Sequence, residues 1–308
     1  MTLQVIKGGE AMGIGLADYV YLGTEGDLDA KKRSILIGTN GKGEPEPILD
    51  RWIYDDGPPD DDEDGDDQTL ILVPCFYLPD PTRPQPCYIV ICEVRDVDDN
   101  CVEHNGRAKL REALEARGMQ TNLVWFGFEQ NYLLEDTNQP EDGFEARRFQ
   151  ASERHIGACF DSGILFHSAW NTPGAVCDWD FKVGYRGFPQ DFDPDPPNAL
   201  IVADHLIVAR YLMQKIAGSK GLDPDWKHLS IFLSTAEMRE PGGDCLAEVI
   251  RLEEALEDEG DIRRLPHPKY GGVQCLELRN GESSNPYSQA RTVLESIWPL
   301  TILAIREE

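Results

Sequence analysis

A carboxylate and an amide are two residues apart at the end of an apolar stretch that predicts a β-strand. The stretch covers residues 123–128, and Glu129 and Asn131 follow it. Alternate residues of a strand point to the same face, so a Glu-x-Glu pair at this place could hold a hard divalent cation. Asn131 offers only a neutral oxygen, which is a poorer ligand than a second carboxylate. Alone, the pair is a weak indication of a metal site.

A second candidate is the pair Asp180 and Lys182, which lies in an alternating stretch at residues 179–183. The alternation is typical of a half-buried strand and places both side chains on one face. Without further context, an ion pair on the surface of a sheet is the favoured interpretation.

The acidic segment at residues 55–68 has the spacing of a partial calcium loop, with Asp60, Asp62 and Asp64. Such a loop requires a bidentate Glu at its twelfth position, where this chain has Ile71, and it requires flanking helices. The segment has little to bury and repels itself, so we expect a mobile, solvated loop.

Other common catalytic motifs are missing from the sequence. The six histidines form no i,i+4 pair, and the eight cysteines include no Cys-x-x-Cys, so a zinc site has little support and reduced thiols are expected. The sequence contains neither a glycine-rich phosphate loop nor a nucleophile elbow.

The composition is strongly acidic, with 56 acidic and 29 basic side chains and a formal net charge of -27. Such a surface repels nucleic acid and anionic membranes, so neither is an expected partner. A solvated surface, adaptation to high salt and docking onto a basic partner all remain open explanations. The sequence shows neither an apolar run long enough to cross a membrane nor the features of a signal peptide, and we expect a cytoplasmic protein.

The pattern of elements predicts two domains. Strands are indicated at residues 19–22, 70–73 and 88–92, and helices at 105–118, 203–217, 245–259 and 287–297. This order favours a β-rich domain at residues 1–100, which includes the acidic loop, followed by a larger α+β domain at residues 101–308.

Several segments, taken in chain order, resemble the type II (eukaryotic-type) glutamine synthetase family. Residues 125–132, WFGFEQNY, are similar to the family's WFGIEQEY, and residues 179–184, WDFKVG, to its WEFQVG. Further similar segments are residues 52–57 (WIYDDG), 80–83 (DPTR), 105–107 (NGR), 155–159 (HIGAC), 203–212 (ADHLIVARYL) and 285–287 (NPY). The resemblance implies an N-terminal β-grasp domain and a C-terminal catalytic-type α+β domain, with an antiparallel sheet and flanking helices.

The resemblance also implies a site, and the chain departs from it. The family holds two divalent metals with five carboxylates and one histidine. Glu129, Asp180 and Glu277 correspond to three of these ligands. The remaining three positions carry Asn131, Pro173 and Ser230.

The chain also lacks whole segments of the family's pattern. The family segments expected between residues 136 and 154, around 223–230 and between 270 and 277 are missing or shortened. They supply the glutamate and ammonium contacts, the closing flap and the arginines of phosphoryl transfer. Asp55 belongs to a vestigial latch whose two serines are replaced by prolines.

These departures predict a non-catalytic scaffold or regulatory subunit. The alternatives are a divergent ATP-dependent carboxylate–amine ligase with an altered substrate and a binding module for a small metabolite. We expect no firm cofactor, at most weak Mg²⁺ or Mn²⁺ binding at Glu129, Asp180 and Glu277, and doubtful ATP binding. The expected partners are further copies of the chain in a ring or an authentic glutamine synthetase, with Trp52 near the subunit boundary. Because the retained carboxylates would repel one another, Glu129→Ala is expected to change stability little or to raise it.

Overall fold

A computed structural model of the chain describes residues 13–23, 27–40, 44–55, 69–117, 124–137, 143–171, 179–184, 198–239, 245–266, 273–280 and 285–306. The fold divides into two compact units. The first comprises residues 1–105 and 161–163, and the second residues 106–160 and 164–308. Most of the acidic segment, residues 56–68, lies outside the described residues, as does Pro173.

The first unit is built on a six-stranded sheet of β1 (Gly13–Leu22), β2 (Leu28–Thr39), β3 (Pro45–Ile48), β4 (Trp52–Asp55), β5 (Thr69–Pro79) and β6 (Cys87–Arg95). The strand order is β3-β2-β1-β6-β5-β4. Strands β1 and β6 pair in parallel, and all other neighbours are antiparallel. The described part of this unit contains strands and turns but no helix, and the β-grasp arrangement stays a prediction.

One face of this sheet forms the core of the first unit. Tyr19 and Tyr21 of β1 pack there with Leu72 of β5 and Val90 of β6. Trp52, on the edge strand β4, meets Tyr19 edge-to-face with ring centroids 5.7 Å apart. Strand β1 is three positions from β4 in the sheet order, so the sheet must curl strongly around this core.

The second unit contains the other strands and the described helices. Its strands are β7 (Val124–Asp136), β8 (Phe166–Trp170), β9 (Trp179–Gly184), β10 (Leu222–Thr235), β11 (Asp261–Pro266) and β12 (Val273–Asn280). Its helices are α1 (Gly106–Arg117), α2 (Phe144–Asp161), α3 (Ala199–Gly218), α4 (Ala236–Arg239), α5 (Leu246–Leu256) and α6 (Pro286–Arg306). The sheet order is β11-β12-β10-β7-β9-β8, and every pairing is antiparallel.

The two faces of the second sheet differ in character. Phe128, Tyr132, Phe181 and Ile231 are buried on one face, where α3 packs against β7, β9 and β10. Helix α3 is itself buried along most of its length, as expected of a central helix. The opposite face carries the positions between these residues, including Glu129, and it is the face on which the candidate ligands lie.

Candidate functional site

Four polar side chains form a row across the open face of the second sheet. The pairing register places Lys182 of β9 opposite Glu129 of β7, Glu129 opposite Ser230 of β10, and Ser230 opposite Arg279 of β12. Directly opposite residues have Cβ atoms about 5 Å apart. Neighbouring side chains of this row are therefore within reach of one another.

The other predicted ligands lie on the same face, one step along the strands in each direction. Asp180 is opposite Asn131, two residues from the row on one side. Glu277 pairs with Phe232 of β10 and with Arg263 of β11, two residues from the row on the other side. The fold thus brings Glu129, Asp180 and Glu277 onto one surface.

Glu129 forms an ion pair with the neighbouring strand. Its Oε2 lies 2.6 Å from Nζ of Lys182. The two side chains are only 13% and 20% exposed, respectively, so the pair is poorly solvated. The Lys182 ammonium also lies 5.8 Å from the centre of the Phe232 ring. Lys182 was expected to pair with Asp180 on its own strand. It pairs with Glu129 on the adjacent strand, because opposite residues on adjacent strands are closer than residues i and i+2.

Glu277 also has cationic partners. Nε of Arg279 donates a hydrogen bond of 2.7 Å to its Oε1, and Arg263 lies 3.6 Å from its Oε2. The Glu277 side chain is only 5% exposed. The hydrogen bond from Arg279 raises the pKa of that arginine, and the negative charges of Glu277, Glu129 and Asp261 act in the same direction. The arginine therefore stays charged beside its carboxylate.

The arrangement does not fit a pair of divalent metals as it stands. Glu129 and Glu277 are bonded to the chain's own cations, and the positions beside Glu129 carry the neutral side chains Asn131 and Ser230. Within the residues that the structure describes, no group of three or more His, Cys, Asp or Glu side chains is arranged to hold a metal. A divalent ion at either carboxylate would have to displace an ion pair that is already formed.

Arg263 and Arg279 were given no role by the sequence reasoning. Arg279 follows Glu277 at the i+2 position, so strand alternation could have placed the two on one face. Arg263 is far from Glu277 in sequence and could not have been connected to it without the β11–β12 register.

Several of the recognisable segments meet in a buried network behind the sheet. Arg107 of α1 donates hydrogen bonds of 2.9 and 2.8 Å to the carboxylate of Asp204 in α3. The hydroxyl of Tyr287 in α6 donates to the same carboxylate at 2.7 Å. All three residues are buried. The network ties three helices together and gives these segments a structural role.

His155 also lies in the interior. Its Nε2 is 2.9 Å from the carbonyl oxygen of Ala209 and 3.3 Å from Sγ of Cys159. Burial lowers the pKa of His155 to about 4 and raises that of the Cys159 thiol. The pair is therefore neutral at physiological pH, with His155 a weak base and Cys159 a thiol and not a thiolate.

The predicted latch lies in the first unit, at the edge of its sheet. Trp52 is partly buried against Tyr19, and the Arg33 guanidinium lies 5.4 Å from the centre of the Trp52 ring. Backbone atoms place Asp55 at the end of β4, but its side chain lies outside the described residues. The tryptophan therefore anchors its own unit.

Comparison with known proteins finds similar sequences among glutamine synthetases. No family model matches the chain. A glutamine synthetase from Eremothecium gossypii is 28% identical over 299 residues, which cover 86% of this chain and 74% of the relative. One from Colletotrichum gloeosporioides is 28% identical over 74% of this chain and 66% of the relative. A chloroplastic/mitochondrial glutamine synthetase from Arabidopsis thaliana is 29% identical over 74% of this chain and 56% of the relative.

The two sheets and their helices make the chain an α+β protein. Its sequence is similar to those of glutamine synthetases, at 28–29% identity to the three relatives named above. It spans between about a half and three quarters of the length of the three relatives named above. None of the helices in the described part of the chain is both long and apolar enough to cross a membrane.

Proposed function

We propose that this chain is a non-catalytic glutamine-synthetase-like protein, a scaffold or regulatory subunit in which the chain's own cations stand where metal charge would act. One observation carries the proposal. Two carboxylates of the site form ion pairs with cations of the chain itself. Glu129 is paired with Lys182 at 2.6 Å, and Glu277 is paired with Arg279 at 2.7 Å.

The physical argument concerns the charge that phosphoryl transfer requires. In that reaction metals and cationic side chains neutralise the transferring group and position it. Two unit charges about 4 Å apart interact by roughly 4 kcal/mol at the effective dielectric of a protein surface. A divalent ion at that distance from the Lys182 ammonium would meet about twice that repulsion, and it would have to break the ion pair with Glu129. The site is therefore a poor metal centre.

The scaffold role is supported by the residues that are retained. Arg107, Asp204 and Tyr287 hold three helices together, and none of them belongs to the open face of the sheet. We propose a cytoplasmic protein that assembles with further copies of itself or with an authentic glutamine synthetase. Such a partner would use the retained fold without requiring the metal site.

The alternative, a divergent ATP-dependent carboxylate–amine ligase, draws support from the placement of Glu129, Asp180 and Glu277 on one face. Nucleotide binding separates the two. A ligase should be stabilised against heat by ATP with Mg²⁺, whereas the scaffold should melt at the same temperature with and without the nucleotide.

The direct test is an assay of phosphate release and glutamine formation from glutamate, ammonium and ATP with saturating Mg²⁺ or Mn²⁺. We expect no product above a blank without protein, while an active glutamine synthetase in the same buffer serves as the positive control. Turnover in the usual enzyme range of about 1–1000 per second would contradict the proposal.

A further inference from the structure

We propose that Lys182 is the side chain that excludes divalent cations from the Glu129 end of the open face, and that removing its charge opens a cation site there. The inference rests on the proposed function, since it takes the site to be unsuited to metals in its native form. The inference adds that Lys182 is the residue that makes the Glu129 end of the site unsuited to metals. The oxygen atoms around Glu129 are otherwise suited to a hard cation.

The position of Lys182 supports this assignment. It is directly opposite Glu129 in the β7–β9 register, and its ammonium lies 2.6 Å from the Glu129 carboxylate. With the Phe232 ring 5.8 Å from the ammonium and only a fifth of the side chain exposed, the lysine is held over the sheet. It therefore occupies the space beside the carboxylate that an incoming cation would need.

The oxygen atoms around Lys182 are of the kind that Mg²⁺ and Mn²⁺ prefer. Ser230 is opposite Glu129 on β10, and Asp180 is opposite Asn131 on the strands β9 and β7. Asp180, Asn131 and Ser230 are on one face within a single step of the Glu129–Lys182 pair. Together with Glu129 they place two carboxylates, one amide and one hydroxyl around the Lys182 ammonium. Without the ammonium, two negative charges would remain close together in a poorly solvated place, and a cation would relieve their repulsion.

Arg279 interacts with the Glu129 charge only at longer range, across the Ser230 position. It is hydrogen-bonded to Glu277, on β12, which is two strands away from Glu129 in the sheet order. Lys182 is thus the cation in contact with Glu129, and a single substitution can test its role.

The test compares Mn²⁺ binding by calorimetry in the wild-type chain, Lys182→Gln and Lys227→Gln. Lys227 pairs with Asp225 on β10 of the same sheet, so its substitution removes an equal charge and also breaks an ion pair, but it leaves the Glu129–Lys182 pair in place. We expect Lys182→Gln to bind Mn²⁺ at least tenfold more tightly than wild type and to gain thermal stability on adding it, with Lys227→Gln unchanged. Adding Glu129→Gln to Lys182→Gln should abolish the gain.

The inference is overturned if Lys182→Gln binds no better than wild type, or if Lys227→Gln gains as much, which would mark a general effect of negative charge. Should Lys182→Gln fail to fold, Lys182→Met removes the charge while keeping an apolar stem over Phe232, and the same tenfold gain is required of it. Failure here leaves the proposed function intact, whereas glutamine formation by the wild-type chain would overturn that function whatever the variants bind.

Discussion

At the scale of single residues, the pairing of Glu129 with Lys182 reverses an expectation drawn from the sequence. Repulsion among carboxylates suggested that Glu129→Ala would change stability little or raise it. Because Glu129 instead neutralises a poorly solvated lysine at 2.6 Å, its removal leaves that charge without the partner seen here. We now expect Glu129→Ala to lower the free energy of unfolding by about 1–3 kcal/mol.

Urea denaturation measures this change, with Glu135→Ala as the control. Glu135 lies on the same strand and is exposed, so its loss should alter stability by less than about 0.5 kcal/mol. The prediction is contradicted if the two substitutions change stability equally, or if Glu129→Ala is more stable than wild type. Repulsion among the carboxylates would then outweigh the ion pair with Lys182.

A pH dependence follows from the buried histidines. Burial lowers the pKa of both His155 and His205 to about 4, whereas an unfolded histidine titrates near 6.5. Below pH 6.5 the unfolded chain binds protons that the folded chain does not, so these groups lower stability progressively as the pH falls from 6.5 to 4. Each should contribute a loss of about 2–3 kcal/mol across that window.

The His205 contribution can be isolated with His205→Asn. Nδ1 of His205 accepts a hydrogen bond of 2.9 Å from the backbone N–H of Leu165, and an Asn side-chain oxygen can take that place. Urea denaturation at pH 7 and pH 5 should show a smaller difference for the variant than for wild type. An identical difference in the two proteins would show that His205 does not titrate in this way.

At the scale of elements, the sequence located the strands of the site because their signal is local. The apolar stretch ending at Glu129 became part of β7, and the alternating stretch around Asp180 became β9. The ion pairs between strands, Glu129 with Lys182 and Glu277 with Arg263, were not predictable, since they depend on which strands are neighbours and in what register. Thus Lys182 was assigned to Asp180 on its own strand, and the arginines around Glu277 were missed.

Helix ends were predicted less well than helix positions. Helix α3 begins at Ala199, four residues before the predicted start, because the side chain of Asn198 caps it by accepting a 3.1 Å hydrogen bond from the N–H of Ile201. Helix α6 continues through Pro299 to Arg306, although the proline was read as a stop. Proline removes a helical hydrogen bond, but its φ angle is compatible with a helix.

The structure gives Trp52 a packing role within its own unit. A place for Trp52 near a subunit boundary, expected from the sequence, stays a prediction. In the structure Trp52 packs on Tyr19 within its own unit, so we expect the substitution to lower the stability of that unit by about 2–3 kcal/mol. Thermal or urea unfolding measures this, with Ile53→Ala as the matched control because Ile53 is 64% exposed on the same edge strand. Equal stability of Trp52→Ala and wild type would contradict the packing role.

At the scale of the whole molecule, the resemblance predicted a likeness to glutamine synthetases, which the comparisons confirm, and an α+β class, which the two sheets and their helices confirm. It could not establish the β-grasp arrangement, because the described residues of the first unit supply strands alone. Assembly is likewise a proposal. It concerns surfaces between chains, on which alternation and helical periodicity carry little information.

We expect an oligomer whose mass holds or rises with salt, since a net charge of -27 opposes association and added ions screen it. Light scattering at low and high salt measures the mass. Ile53→Asp, which places a charge on an exposed edge strand, should reduce the mass if β4 takes part in the contact. A monomer at micromolar concentration under all salt conditions would rule out self-assembly and leave association with a separate synthetase.

The central claim is that the chain's own cations neutralise the site in place of divalent metals. The most direct measurement is a titration of the wild-type chain with Mn²⁺, followed by the electron paramagnetic resonance signal of the free ion. The account predicts weak binding, with most of the added ion remaining free until millimolar concentrations are reached. Two tight sites per chain, saturating at stoichiometric Mn²⁺, would contradict it.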